Sequence, residues 1–204
     1  MVMEKEYVKA SLKIRERGKA IPYPHKEHEN SITHDFIPLK RNLEAITCIP
    51  EVKDNKHLRN ALMILNGNDT AFFTVGCEKA FNKIDDPNVT EPYWAKGFLD
   101  ISFNYRELVG DAVHYFQLFF FFNQYLKEKP IKELVHYQWD LVGANFLDAG
   151  ISGWTAFIWI IGGNYSTSDE SEAAWGQAVD YLVGFLKAFS IDGYDGAQDF
   201  VSIY

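Results

Sequence analysis

The sequence predicts an all-α fold, a single-domain multi-helix bundle with a buried central helix near residues 105–128. Apolar residues recur at spacings of three and four along most patterned stretches, which is typical of one face of a helix. Four consecutive phenylalanines, residues 119–122, would cover most of a helix circumference. Since a helix that is apolar all round is buried, we expect the other helices to pack around it. The chain has 204 residues, 47% of them hydrophobic, which suits one domain over residues 1–204.

The N-terminal region predicts an exposed helix followed by an arm. In residues 3–18, apolar residues stand among charges and Gly18 ends the pattern, as on a helix with a narrow apolar stripe. Residues 19–37 are rich in proline, histidine and charge, so we expect a mobile arm or loop after this helix. A further helix is expected from Pro38, because proline is favoured at the first helical position.

Residues 60–76 allow two interpretations. An Asn-Gly pair between apolar runs is a strong β-hairpin signal. The apolar spacing on both sides instead favours two helices joined by a tight loop, the first ending at Leu65. Residues 153–162 are rich in β-branched and aromatic residues, which favours a strand. The alternative to the all-α prediction is therefore an α+β fold with a small sheet from residues 60–76 and 153–162.

Two further helices are predicted in the second half of the chain. An apolar pattern that begins at Pro130 indicates a helix over residues 130–148, antiparallel to the central helix. Thr167 and Glu170 have the spacing of a capping box, ahead of apolar residues at helical spacing. We expect this to be the best-defined helix of the chain.

Two carboxylate-x-x-histidine pairs raise the question of a di-metal centre, because carboxylate-bridged bundles hold iron or manganese with such pairs. In an antiparallel helix pair, His114 would lie roughly 20 Å from the connecting loop and His136 roughly 9 Å from it. The pairs would stand about 10 Å out of level, whereas metal–nitrogen bonds are about 2 Å long. We therefore expect no metal and no other cofactor. The alternative, a metal-dependent helical-bundle oxidoreductase, would use Glu107, Asp111, His114, Glu133 and His136.

Negative charge is concentrated in the last third of the chain. The net charge is −8, and residues 137–204 carry nine acids but one base, Lys187. Such a region repels phosphates, so we expect no nucleic-acid partner, and it favours a basic protein. Acids would steer association and aromatic side chains would supply contact area. The predicted partner-binding residues are Asp169, Glu170, Glu172, Trp175, Asp192, Tyr194, Asp195 and Asp199.

The sequence has no catalytic motif that would indicate an enzyme. It contains no G-x-S-x-G, and Cys48 and Cys77 stand alone without C-x-x-C spacing. Its uninterrupted apolar runs are far shorter than the about 20 residues of a membrane span. The N-terminus lacks the apolar core of a signal peptide. We expect a cytoplasmic, non-enzymatic protein with no membrane partner.

A resemblance to a known family extends over three stretches, which read ALMILNGNDTAFFTVGCE, EPYWAKGFLDISFNYRELVGD and AWGQAVDYLVGFLKAF. The chain here resembles the helical immunity proteins of bacterial polymorphic-toxin systems, which share an apolar helix, a Trp-led helix and a late helix rich in alanine and aromatic residues. Trp94 and the pair Arg106 and Glu107 occupy the matching positions. The resemblance implies a cytosolic inhibitor that neutralises a cognate toxin, and it transfers no catalytic residue.

The functional prediction is therefore a protein-binding inhibitor of the immunity type, with a basic toxin domain as its partner. Two alternatives stay open. One is the metal-dependent oxidoreductase, which elemental analysis would reveal. The other is a small-ligand carrier with an aromatic cavity, which a co-purified ligand would support.

Overall fold

The structure is a computed structural model, and it describes residues 8–24, 26–28, 31–33, 35–132, 134–189 and 202–204. The strands are β1 (Val8–Ile21), β2 (Lys26–His28), β3 (Ser31–Thr33), β4 (Phe72–Lys83), β5 (Tyr93–Phe103), β6 (Val135–Phe146) and β7 (Ile151–Tyr165). The helices are α1 (Lys56–Leu65), α2 (Arg106–Gly110), α3 (Ala112–Lys127) and α4 (Ser168–Ala188), with 3₁₀ turns at Leu43–Cys48 and Pro50–Val52. The all-α prediction is wrong, because the chain has a mixed α/β fold.

Five strands form one mixed sheet in the order β1-β6-β7-β5-β4. β1 and β6 are parallel, and the other neighbouring strands are antiparallel. β2 and β3 form a separate antiparallel pair. β7 therefore lies at the centre of the sheet, and β1 and β4 are its edges.

The helices pack on one side of the sheet, which we call the helix face. Tyr137 on β6 contacts the ring of Phe122 on α3, with ring centroids 4.9 Å apart. The Tyr137 hydroxyl donates a hydrogen bond to the carbonyl of Ala178 on α4 at 2.8 Å. Trp175 on α4 reaches β7, where its indole Nε1 donates to the Ile160 carbonyl at 3.0 Å. The main core lies between this face and the helices.

Alternate residues of each strand point to the opposite side, which we call the open face. One register row crosses all five strands on this face. From β1 to β4 it consists of Lys13, Asp140, Phe157, Asp100 and Gly76. The segment of residues 35–51 lines the same cavity as the last three of these residues, so it covers the open face near β4 and β5.

β1 lies where the sequence predicts a helix over residues 3–18. Val8 and Leu12 are four residues apart, which suits a helix, but they also lie on one side of an extended strand. The alternation of Val8, Ala10 and Leu12 with polar residues is the period of a strand. Residues 1–7 lie outside the described part of the chain. Residues 19–21 belong to β1, and the mobility of the rest of residues 19–37 stays a prediction.

The two interpretations of residues 60–76 are each half correct. The helix that ends at Leu65 is confirmed as α1, but β4 begins at Phe72 where a second helix is predicted. The strand predicted over residues 153–162 is confirmed within β7, in a sheet much larger than the predicted one. The helix predicted over residues 130–148 is wrong, because β6 occupies this stretch.

The region near residues 105–128 is helical, but it is neither continuous nor central. Asp111 separates α2 from α3 and caps α3, its carboxylate accepting a hydrogen bond from the Val113 backbone N–H at 2.9 Å. Phe122 is buried, whereas Phe120 and Phe121 are 58% and 51% exposed. The prediction of a helix buried all round is wrong, because the sheet covers only one side of α3.

The capping box predicted for α4 is confirmed. The Thr167 hydroxyl accepts a hydrogen bond from the Glu170 backbone N–H at 3.2 Å, and the Glu170 carboxylate accepts one from the Thr167 backbone N–H at 3.1 Å. These bonds satisfy two backbone donors that a helix start otherwise leaves unpaired.

No helix in the described part of the chain is long and apolar enough to cross a membrane.

Candidate ligand-binding cavity

A cavity of about 630 Å³ lies on the open face, between the sheet and residues 35–51. We call it the sheet-face cavity. Its volume falls in the range of a few hundred to about 1,000 Å³ that small-molecule sites occupy. Among the described residues, aromatic rings, carboxylates, a lysine, a thiol and apolar side chains line it. The charged, aromatic and thiol residues are Lys19, Tyr23, Asp35, Glu51, Cys77, Glu78, Phe98, Asp100 and Phe157.

Gly76 and Tyr23 form one side of the cavity. A Cβ on Gly76 would lie 3.2 Å from the Tyr23 hydroxyl and 3.7 Å from the ring of Phe98, so the glycine lets the tyrosine approach β4. The Tyr23 hydroxyl donates a hydrogen bond to the Val75 carbonyl at 2.7 Å. Burial raises the pKa of Tyr23 above its usual value, and the charge of Asp100 adds to this. The phenol therefore stays neutral, and its hydrogen bond holds it against β4.

An ion pair between Lys19 and Asp100 stands at the base of the cavity. The Lys19 ammonium donates to Oδ2 of Asp100, whose side chain is 5% exposed. Burial raises the pKa of the Asp100 carboxyl, and the ammonium opposes the rise. Lys19 directly follows an irregularity in the pairing of β1 with β6, between Arg15 and Lys19. The two charges depend on each other, since a buried carboxylate without its cation is strongly unfavourable.

The second carboxylate oxygen of Asp100, Oδ1, does not accept a hydrogen bond from Lys19. Oδ1 of Asp100 and Oγ1 of Thr155 are both buried, and neither has a partner in hydrogen-bonding geometry among the described residues. The Thr155 hydroxyl favours the charged form of Asp100. Since both atoms are shielded from solvent, Oδ1 of Asp100 belongs to the protein interior rather than to the accessible wall of the cavity.

Cys77 lines the cavity as a thiol rather than a thiolate. Burial raises the pKa of Cys77 to about 12, and the charges of Glu51 and Glu78 add to the effect. Since the thiolate is the nucleophilic form, this cysteine is unreactive near neutral pH. Its environment suits a binding surface better than a thiol-based active site.

Three aromatic rings on the open face form a continuous row, which we call the aromatic row. The ring centroids of Phe98 and Phe157 are 4.1 Å apart in a stacked arrangement, and Trp159 lies 5.0 Å from Phe157 and 5.3 Å from Phe98. The Lys96 ammonium lies 3.9 Å from the Trp159 centroid, and that of Lys19 lies 5.9 Å from the Phe157 centroid. The row thus joins the cavity to the rest of the open face.

The geometry combines a cavity of ligand size with an aromatic row and a buried ion pair. No family model, curated protein or solved structure matches this chain. The resemblance to immunity proteins therefore stays a prediction.

The residues of the metal alternative are not brought together. His136 lies on the open face of β6, where its Nε2 is 3.0 Å from the Ser11 hydroxyl. His114 belongs to α3 on the helix face, and Asp111 caps that helix. Glu107 lies in α2, and Glu133 lies outside the described residues. Across the part of the chain that the structure describes, no group of three or more potential ligands could hold a metal ion.

The predicted partner-binding residues have different placements. Asp169 and Glu170 lie in the first turn of α4, where they stabilise its positive end. Glu172 is bonded to the ammonium of Lys79. Trp175 is 1% exposed and belongs to the core, so it is no surface anchor. Asp192, Tyr194, Asp195 and Asp199 lie outside the described residues.

Local sequence patterns do not single out the residues of the sheet-face cavity. Asp100 carries the one usable signal, because it alternates with the buried residues Leu99 and Ile101 and must therefore face away from them in a strand. Its partner Lys19 lies 81 residues away along the chain. Only the strand order brings these two residues to one place.

Proposed function

We propose that this chain is a binding protein that holds a small molecule in the sheet-face cavity. The observation that carries the proposal is a cavity of about 630 Å³ lined by aromatic rings and a few charged groups. Small-molecule sites have this composition, because apolar walls supply contact area and a few polar groups fix orientation. Phe98 and Phe157 provide the apolar contact area, and the pair of Lys19 and Asp100 provides the polar groups. Binding is favoured over thiol catalysis because Cys77 stays protonated.

A cavity-filling substitution tests this proposal. Val142 on β6 is half-buried and lines the cavity. A phenylalanine there would force the ligand or the cavity wall to move, at a cost of about 1–3 kcal/mol. We therefore expect Val142→Phe to weaken ligand binding about tenfold or more. Ligand-observed NMR with a fragment library identifies binders of the unmodified chain, and titration of each hit gives its affinity for the variant.

The matched control is Val113→Phe, the same substitution on α3, where Val113 is 50% exposed. We expect this variant to bind the hits as the unmodified chain does. Thermal unfolding of both variants checks that each is folded. Equal affinity of the hits for Val142→Phe and the unmodified chain would contradict the proposal.

A protein-binding role of the immunity type is the second candidate function. The observation that favours it is an exposed apolar strip on α3, consisting of Val113, Phe116, Phe120 and Phe121, which are 36–58% exposed. Contiguous exposed apolar side chains often mark protein interfaces, and buried aromatic anchors dominate their binding energy. The proposed interface therefore shifts from the acidic C-terminal third to the outer side of α3.

Two substitutions on this strip test the second candidate. The partner to use is the protein encoded by the gene adjacent to that of this chain, as expected for a toxin and its inhibitor. Phe120→Ser combined with Phe121→Ser should weaken binding at least about 30-fold, since anchors of this kind contribute about 2 kcal/mol or more. Leu147→Ser, at a residue 60% exposed in the turn after β6, is the control. Unchanged affinity in the double variant, measured by biolayer interferometry, would exclude this surface.

A further inference from the structure

We infer that the ligand of the sheet-face cavity is an organic cation, a small molecule that joins an ammonium or guanidinium group to an apolar body. The inference rests on the proposed binding function and names the chemical class of the ligand. Three features of the lining support it: its balance of charge, the engagement of Lys19, and the aromatic row.

The charge balance of the cavity is negative. Among the described residues, the carboxylates of Glu51, Glu78 and Asp100 line it together with the ammonium of Lys19. Glu51 and Glu78 form no ion pair with any lysine or arginine among the described residues. Both raise the pKa of Cys77, so their charges act on the cavity wall. A cation entering the cavity would meet complementary charge, and an anion would be repelled.

Lys19 is not available to an anionic ligand. Its ammonium is bonded to Asp100, which is 4% exposed. An anion that drew Lys19 away would leave a buried carboxylate without its cation, which is strongly unfavourable. The pair of Lys19 and Asp100 is therefore internally compensated, and the carboxylates of Glu51 and Glu78 determine the charge that a ligand meets.

The aromatic row is already a surface on which ammonium groups lie. Lys96 lies over the ring of Trp159 at 3.9 Å, and Lys19 lies 5.9 Å from the ring centroid of Phe157. Ring faces attract cations through their quadrupole, and most strongly where water is excluded. The stacked rings of Phe98 and Phe157 also supply the apolar contact for the body of the ligand. An aromatic or alicyclic amine satisfies both requirements.

Three probes of nearly the same shape separate charge from shape. They are phenethylamine, phenethyl alcohol and phenylacetate, which are cationic, neutral and anionic at pH 7. We expect phenethylamine to bind about tenfold more tightly than the alcohol, and phenylacetate to bind most weakly. Glu51→Gln combined with Glu78→Gln should remove the advantage of the amine and leave the affinity of the alcohol within about twofold. Amide chemical shifts in a titration of the full chain give all the affinities.

The control variant combines Glu44→Gln with Glu91→Gln, which changes the net charge equally at two exposed residues outside the lining. The amine should bind to it as to the unmodified chain. Equal affinity for amine and alcohol, or tightest binding of phenylacetate, would overturn the inference and leave the proposed function standing. If none of the three probes binds at millimolar concentration, the proposed function of the cavity fails with it.

Discussion

Trp175→Ala is expected to lower the free energy of unfolding by about 3–5 kcal/mol. The indole is 1% exposed, and its Nε1 donates a hydrogen bond to the Ile160 carbonyl. It packs over Gly97, where a Cβ would lie 2.5 Å from the indole Cζ2. Alanine would leave a void between α4 and β5 and a buried carbonyl without its donor. Urea-induced unfolding followed by circular dichroism measures the loss.

Asp169→Ala is the matched control in the first turn of the same helix. The Asp169 side chain is exposed and stabilises the positive end of α4, so its loss should cost less than about 1 kcal/mol. The contrast separates a core residue from a surface residue of the same predicted partner site. A loss below about 1 kcal/mol for Trp175→Ala would contradict the buried placement and restore its predicted role at an interface.

The helical interpretation of the chain fails where one apolar pattern fits two periods. In residues 130–148, Leu134 and Val142 fit the spacing that a helix would place on its buried side. In β6 and the residue before it, Leu134 is 53% exposed and Val142 faces the open side. The buried residues Tyr137, Trp139 and Leu141 instead alternate as in a strand. A sheet covered by helices on one side and by a long segment on part of the other leaves apolar residues on both faces, which obscures the alternation.

A helix start is predictable where its capping residues lie close together in the sequence, as at α4. Thr167 and Glu170 specify the first turn of α4 through bonds within four residues. Asn55 does the same for α1, its side chain accepting a hydrogen bond from the Leu58 backbone N–H at 2.9 Å. Such caps form between residues that are close in sequence, so they do not depend on the rest of the chain. Local chemistry therefore predicts where these helices begin, while the strand register that builds the cavity depends on distant residues.

The four consecutive phenylalanines, residues 119–122, differ in burial although they form one apolar run. Phe122 lies in the core against Tyr137, as predicted for an apolar helix. Phe120 and Phe121 are exposed because nothing in the described chain covers the outer side of α3. Four apolar residues in a row predict that a helix has apolar surroundings, but not whether the chain itself provides them. This is why the same residues favour an interface in the second candidate function.

Lys19→Met is expected to lower the free energy of unfolding by about 2–4 kcal/mol at pH 7, because it leaves the Asp100 carboxylate buried without its cation. The Lys19 side chain is 26% exposed, so methionine can occupy its place without overpacking. Lys9→Met in the same strand is the matched control. Since Lys9 is exposed, this change should stay within about 0.5 kcal/mol. Urea denaturation of the three proteins gives the comparison.

The loss of folding free energy in Lys19→Met should grow as the pH rises. Burial raises the pKa of Asp100 in the folded state, so ionisation of this carboxyl weakens folding as the pH rises through and above the unfolded value of about 4. In the unmodified chain the Lys19 ammonium offsets this loss of stability. In Lys19→Met the offset is absent, so ionisation of Asp100 destabilises the fold in full. The difference from the unmodified chain should be small near pH 4 and grow toward pH 7. Adding Asp100→Leu should restore most of the stability and remove the pH dependence. A loss that is equal at both pH values and not rescued would mean that Lys19 stabilises the fold through its aliphatic stem rather than its charge.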